Sequence, residues 1–99
     1  MNFDEALDNF VLTVQVMIDD YYARNHPSLP RSTITAHHGR RYVKIVNSSD
    51  YRRYVYCFID KNGDILKSAS WNAPAKGARG NIYVPFADAI NEYGAVYNR

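Results

Sequence analysis

The chain has one cysteine, Cys57, so no internal disulfide can staple it. Its place inside the run Tyr54 to Ile59 makes it a small buried hydrophobe before it makes it a nucleophile. Also missing is an apolar run of membrane length. The longest, Phe10 to Ile18, is broken by Thr13 and Gln15 and falls well short of the roughly 20 residues a spanning helix needs. The opening Met1-Asn2-Phe3-Asp4-Glu5 is acidic where a signal peptide is basic, which favours the cytosol over export. No repeat or low-complexity tract divides the sequence, and 99 residues leave room for one hydrophobic core, so residues 1–99 are expected to form a single domain.

Catalytic arrangements are scarce as well. His37 and His38 are adjacent, so on a strand they point to opposite faces and cannot chelate one metal together. Cys57 has no identifiable base beside it, and no serine belongs to a nucleophile elbow. Asp19-Asp20 beside Tyr21-Tyr22 reads as a solvated helix end before it reads as an acid/base pair. The expectation is a protein that is not an enzyme and takes neither cofactor nor metal.

What is present is charge segregation and tyrosine. Net charge is only +2. Residues 1–20 carry Asp4, Glu5, Asp8, Asp19 and Asp20 with no basic residue, whereas residues 31–53 carry Arg31, Arg40, Arg41, Lys44, Arg52 and Arg53 against Asp50 alone. Nine tyrosines in so short a chain exceed what a dry core uses, so some of the rings are expected at a surface.

The pattern predicts an α+β fold. Asn2 and Glu5 have capping-box spacing, and Phe3, Ala6, Leu7, Phe10, Val11, Val14, Met17, Ile18 and Tyr21 recur at threes and fours, a helix ending near Arg24 or Asn25 before Pro27 and Pro30. Four antiparallel strands follow as a meander: Ser32 to His37, Arg41 to Asn47, Arg53 to Asp60 and Ile65 to Ser70, with Asn62-Gly63 as a type I′ turn. Strict alternation puts Val43, Ile45, Val55, Cys57, Ile59 and Leu66 on a smooth face for the helix. It puts Tyr42, Lys44, Tyr54, Tyr56, Phe58, Ile65 and Lys67 on the other, mixed face. Asn72 to Asn81 reads as an irregular loop, Ile82 to Val84 as a short extended piece and Phe86 to Tyr93 as a short C-terminal helix, with Gly94 and Tyr97 in the tail.

Two candidate ligand sites emerge. In one, Lys76 and Arg79 sit among glycines whose backbone amides can turn toward an anion, although Gly77-Ala78-Arg79-Gly80 lacks the spacing of a Walker A loop. Ser70 and Trp71 lead into it. In the other, Tyr42, Lys44, Tyr54, Tyr56, Phe58 and Lys67 combine rings with charge, as nucleic-acid platforms do, but without the octapeptide or element order of an RNA-recognition sheet. The competing reading of these rings is that the C-terminal helix or a second subunit covers them.

The segment Gly63 to Ile82, with its Ser70-Trp71, Ala73-Pro74-Ala75-Lys76 and Ala78-Arg79-Gly80, resembles one found in small uncharacterised proteins of tailed bacteriophages. That resemblance implies a phage origin and the host-cell cytoplasm as the setting, and it assigns no activity. The expected function is non-catalytic binding of a phosphate-bearing ligand, namely a nucleotide, a cyclic nucleotide signal or single-stranded nucleic acid, in a role that counteracts host defence. The alternative is a protein-binding inhibitor of a host enzyme or defence complex that uses Tyr54, Arg52 and Arg53. A homo-oligomer is expected because one short chain struggles to cover both sheet faces.

Overall fold

A computed structural model describes residues 1–96, so the tail residue Tyr97 lies outside the described residues. Helix α1 spans Phe3–Asn25. The Asn2 side chain accepts the Glu5 amide at 2.9 Å and the Glu5 carboxylate accepts the Asn2 amide at 3.0 Å, which satisfies two of the donors a helix start leaves unpaired. At the other end the His26 amide donates to the Tyr22 carbonyl, and Pro27 follows. Ala6, Leu7, Phe10, Val14 and Ile18 form the buried stripe, while Leu12 and Val16 stay exposed. No helix among the described residues is long and apolar enough to cross a membrane.

The helix packs on an antiparallel sheet ordered β1 (Thr33–His38), β2 (Tyr42–Ser48), β3 (Arg53–Asp60), β4 (Asp64–Ser68), β5 (Pro74–Asn81). Gln15 ties the edge strand to the helix, its amide nitrogen donating to the Ser32 carbonyl and its amide oxygen accepting the Ile34 N–H. The α+β class and the helix-first order agree with the sequence, but the sheet has five strands and not four. The added strand is the stretch read as an irregular loop. Its composition hides it: Pro74, Gly77 and Gly80 are poor strand formers, yet Pro74 opens the strand and β5 lies at the sheet edge, where a missing N–H is tolerated. The β4–β5 register shifts twice, so no period of two survives for a sequence reading to find.

The C-terminal helix is likewise corrected. Phe86 to Tyr93 forms a single 3-10 turn at Ala87–Ala89 and then a miniature hairpin of β6 (Ile90–Asn91) and β7 (Gly94–Ala95). Ile82 to Val84 is a turn and not an extended piece. The Asn91 side chain explains the switch, because it accepts the amides of Tyr93 and Gly94 and so offers the backbone an alternative to helix. The β3–β4 turn also departs from type I′. Among the described residues no non-glycine has positive φ, so only Gly63 (φ +85°) carries it, and the Gly63 amide donates to the Asp60 carbonyl at 3.0 Å. This is a three-residue turn with glycine at the bulge position.

One bulge redistributes the side chains of β3. Ile45 faces Cys57 across the ladder, but the next residue, Val46, faces Val55, which leaves Tyr56 as the extra residue. The sides of β3 therefore exchange beyond that point. Val43, Ile45, Cys57, Ile59 and Ile65 meet the helix, as does Tyr56, which is 1% exposed. Tyr54 pairs with buried Asn47 on this side, while Val55 moves to the opposite face with Val46, Lys44 and Phe58. Ile65 and Leu66 are also interchanged relative to the alternation read from the sequence, because Ile65 pairs with Ile59 and Leu66 with Phe58.

Candidate functional site

The expected residues separate into two groups. Arg79 and Lys67 belong to the first, which is structural. The Arg79 guanidinium donates to the Val96 carbonyl at 3.0 Å, to the Lys76 carbonyl at 2.9 Å and to the Gly77 carbonyl. Lys67 Nζ donates to the Ala95 carbonyl at 3.1 Å. Both cations thus hold the C-terminal hairpin and the β5 bulge in place. Lys76 sits exposed on that bulge with its carbonyl turned to Arg79, so no cradle of paired cations forms there.

Tyr56 joins this group. Its hydroxyl donates to the Asn91 carbonyl, and burial pushes its phenol well above the ordinary value. Gly94 packs against the Tyr56 backbone so closely that a Cβ would come within 2.5 Å of the carbonyl oxygen. The small hairpin is therefore the cover over Tyr56, a role the sequence reading gave to a helix or a second subunit. Tyr54 is half-buried, accepts a hydrogen bond from Asn47 Nδ2 at 3.0 Å, and has its phenol raised chiefly by burial. Neither ring faces the opposite side of the sheet, where a base could have stacked.

The second group lies on that opposite face. Ser68, Ser70 and Ala73 form the bend that carries Trp71: Ser68 Oγ donates to the Ser70 carbonyl, and the amides of Ala69 and Ser70 both donate to the Ala73 carbonyl. The bend swings Trp71 over the sheet. There Lys44 Nζ lies 4.6 Å and Arg53 Cζ 4.9 Å from the centroid of the indole ring. Beneath them is a cavity of about 360 Å³ whose walls include Val46, Phe58 and Trp71. Arg40, Arg41, Lys44 and Arg53 also line it, with His37 and His38, and no carboxylate does. Among the described residues the only ion pairs are Arg24 with Asp20 and Arg31 with Asp19, so none of the four cavity cations is neutralised by an acid.

Tyr42 completes the wall, its ring edge-on to Phe58 at 5.8 Å and with the Arg41 guanidinium 5.5 Å from its centroid. Of the expected ligand residues, the fold thus gathers Tyr42, Lys44 and Trp71, with Ser70 in the bend beside them. It takes away Lys67, Tyr54, Tyr56 and Arg79. It adds Arg53, Arg40, Arg41 and Asn72. The charge run of residues 31–53 was a visible signal for the arginines; the bulge that turns Arg53 toward Trp71 left no mark in the sequence.

Four permanent positive charges and two imidazoles around an aromatic floor suit an anion with flat or apolar portions. Cys57, fully buried with its thiol pushed up by desolvation, takes no part. No group of three or more His, Cys, Asp or Glu among the described residues could hold a metal ion. No curated protein and no solved structure matches the chain. A family model does match, over residues 7–91, and the chain belongs to that family, a family of unknown function designated DUF7717.

Proposed function

We propose that the protein is a non-catalytic binder of a phosphate-bearing ligand and that its site is the cavity under Trp71. One observation carries the reading: Lys44 and Arg53 converge on one indole ring above a cavity that has four cations and no carboxylate in its walls. Unpaired cations held in a concavity repel one another unless an anion enters, and phosphate oxygens match the fork of a guanidinium. Under this proposal the protein is a phage product acting in the host cytoplasm, the setting that the resemblance around Ser70 to Gly80 implies.

Calorimetric titration with nucleoside monophosphates and diphosphates, a cyclic dinucleotide and a short single-stranded oligonucleotide tests the reading. At least one of these probes binds without being turned over, and Lys44→Met or Arg53→Met each lowers its affinity about tenfold or more, as expected for loss of a charged hydrogen bond. If no probe binds, or both variants bind as the parent does, the site is misassigned. A host protein held through Tyr54, Arg52 and Arg53 in place of any phosphate would then be the remaining function.

A further inference from the structure

Resting on that reading, we propose that the ligand is a single strand of nucleic acid laid across two adjoining cavities, and not a lone nucleotide held in one. A second cavity of about 180 Å³ lies beside the first. The two share His38, Gly39, Arg40, Arg41 and Tyr42, so the β1–β2 turn is a common wall with two arginines on it. The second cavity lies round the end of the sheet on the helix side, against Phe3, Val43 and Ile59, and runs on to Lys61 in the turn after β3, so a strand enters it by bending round the β1–β2 turn.

The cations follow the β2–β3 ladder from end to end. Arg53 stands opposite Ser48 at one end, Lys44 opposite Phe58 nearer the other, and Lys61 just beyond Asp60, which pairs with Tyr42. Measured along the ladder at the rise of an extended strand, these cations span roughly 20 Å, Arg53 and Lys44 on the open face and Lys61 round its end. A single nucleotide clusters its phosphates at one point and leaves the cations at the far end unmatched. A strand with a phosphate at every residue matches all of them.

A further feature favours a single strand over a duplex or a plain polyanion. Tyr42 and Trp71 stand between the charges, and Trp71 is 40% exposed, which gives unpaired bases a surface to stack on. A duplex has its bases already stacked and cannot use those rings. The one acid in either wall, Asp60, is occupied: its Oδ1 accepts the amides of Asn62 and Asp64, each at 2.9 Å.

The test is fluorescence anisotropy with labelled oligothymidylates from the dinucleotide to the dodecanucleotide, at several salt concentrations. Affinity should rise at least about tenfold from dinucleotide to octanucleotide, and log affinity for the octanucleotide should fall with log salt at a slope of about −2 or steeper, the signature of three or more neutralised phosphates. Lys61→Ala, an exposed turn residue of the second cavity alone, should weaken the octanucleotide on the order of fivefold and leave the dinucleotide unchanged. Equal affinity along the series with a silent Lys61→Ala overturns the strand but leaves a nucleotide site standing. Equal affinity for a duplex of the same length also overturns it. Failure of every phosphate probe to bind removes the site itself.

Discussion

Two regions of this molecule carry basic residues and use them in opposite ways. Around the C-terminal hairpin, Lys67 and Arg79 point their charges at the backbone carbonyls of Ala95, Val96, Lys76 and Gly77. On the far face of the sheet, Lys44 and Arg53 rest on an indole ring beside open space. A carbonyl satisfies a guanidinium donor, whereas a ring attracts the charge but leaves its N–H groups free to bond elsewhere. Positive charge in a sequence is therefore a poor guide to a ligand site until the acceptors around it are known.

The sharpest way to break the closed region is at Gly94. Its φ of +145° is strained for any side chain, and a Cβ would stand 2.5 Å from the Tyr56 carbonyl oxygen, which is backbone and cannot swing away. Gly94→Ala should cost about 3 kcal/mol or more, from combined strain and steric overlap. Urea unfolding followed by circular dichroism measures it. A loss below about 1 kcal/mol would mean that the hairpin is not seated on Tyr56.

Alkali probes the same region more gently. Burial raises the Tyr56 phenol above its ordinary 10.0 and the Cys57 thiol above its ordinary 9.0. Both groups are neutral acids in the folded chain and ionise earlier in the unfolded one, so the stability tied to their burial is intact below pH 9 and declines as pH rises past these values. The decline should approach about 1.4 kcal/mol per pH unit for each group. Tyr56→Phe and Cys57→Ala should each flatten the alkaline limb of the stability curve. An unchanged limb in both would show that other groups govern it.

The helix and its face were legible because the capping box at Asn2 and Glu5 and the stripe from Ala6 to Ile18 are local signals that packing only had to ratify. Strand positions were legible for the same reason, since β3 is dense in β-branched and aromatic residues. Which side each β3 side chain faces was not, because parity is a count and the single extra residue at Tyr56 exchanges every position beyond it. Strand β5 escaped because backbone pairing with β4, and not side-chain preference, makes it a strand. In the candidate site, Tyr42 and Lys44 were legible from ring-and-charge chemistry, whereas Trp71 was expected beside Lys76 and Arg79 and is carried to the sheet by the bend after β4. Arg53 required the bulge.

The smallest effects offer the finest contrast, in a pair of arginine substitutions. Arg79→Met keeps the aliphatic stem but strips three carbonyl oxygens of their donor, on a half-buried side chain that water can partly replace. Its cost should be about 1 to 2 kcal/mol, with phosphate binding unchanged. Arg53→Met removes only a cation from over an exposed ring, so its cost should be about 0.5 to 1 kcal/mol while phosphate binding collapses. Urea midpoints and calorimetric titrations on the same two preparations give all four numbers. The division into a structural and a ligand-facing set holds only if the losses cross, stability falling more for Arg79→Met and affinity only for Arg53→Met. If Arg79→Met also lowered affinity without unfolding the chain, the carbonyl-bound guanidinium would have to leave its partners when the anion arrives, and the two regions would be one site.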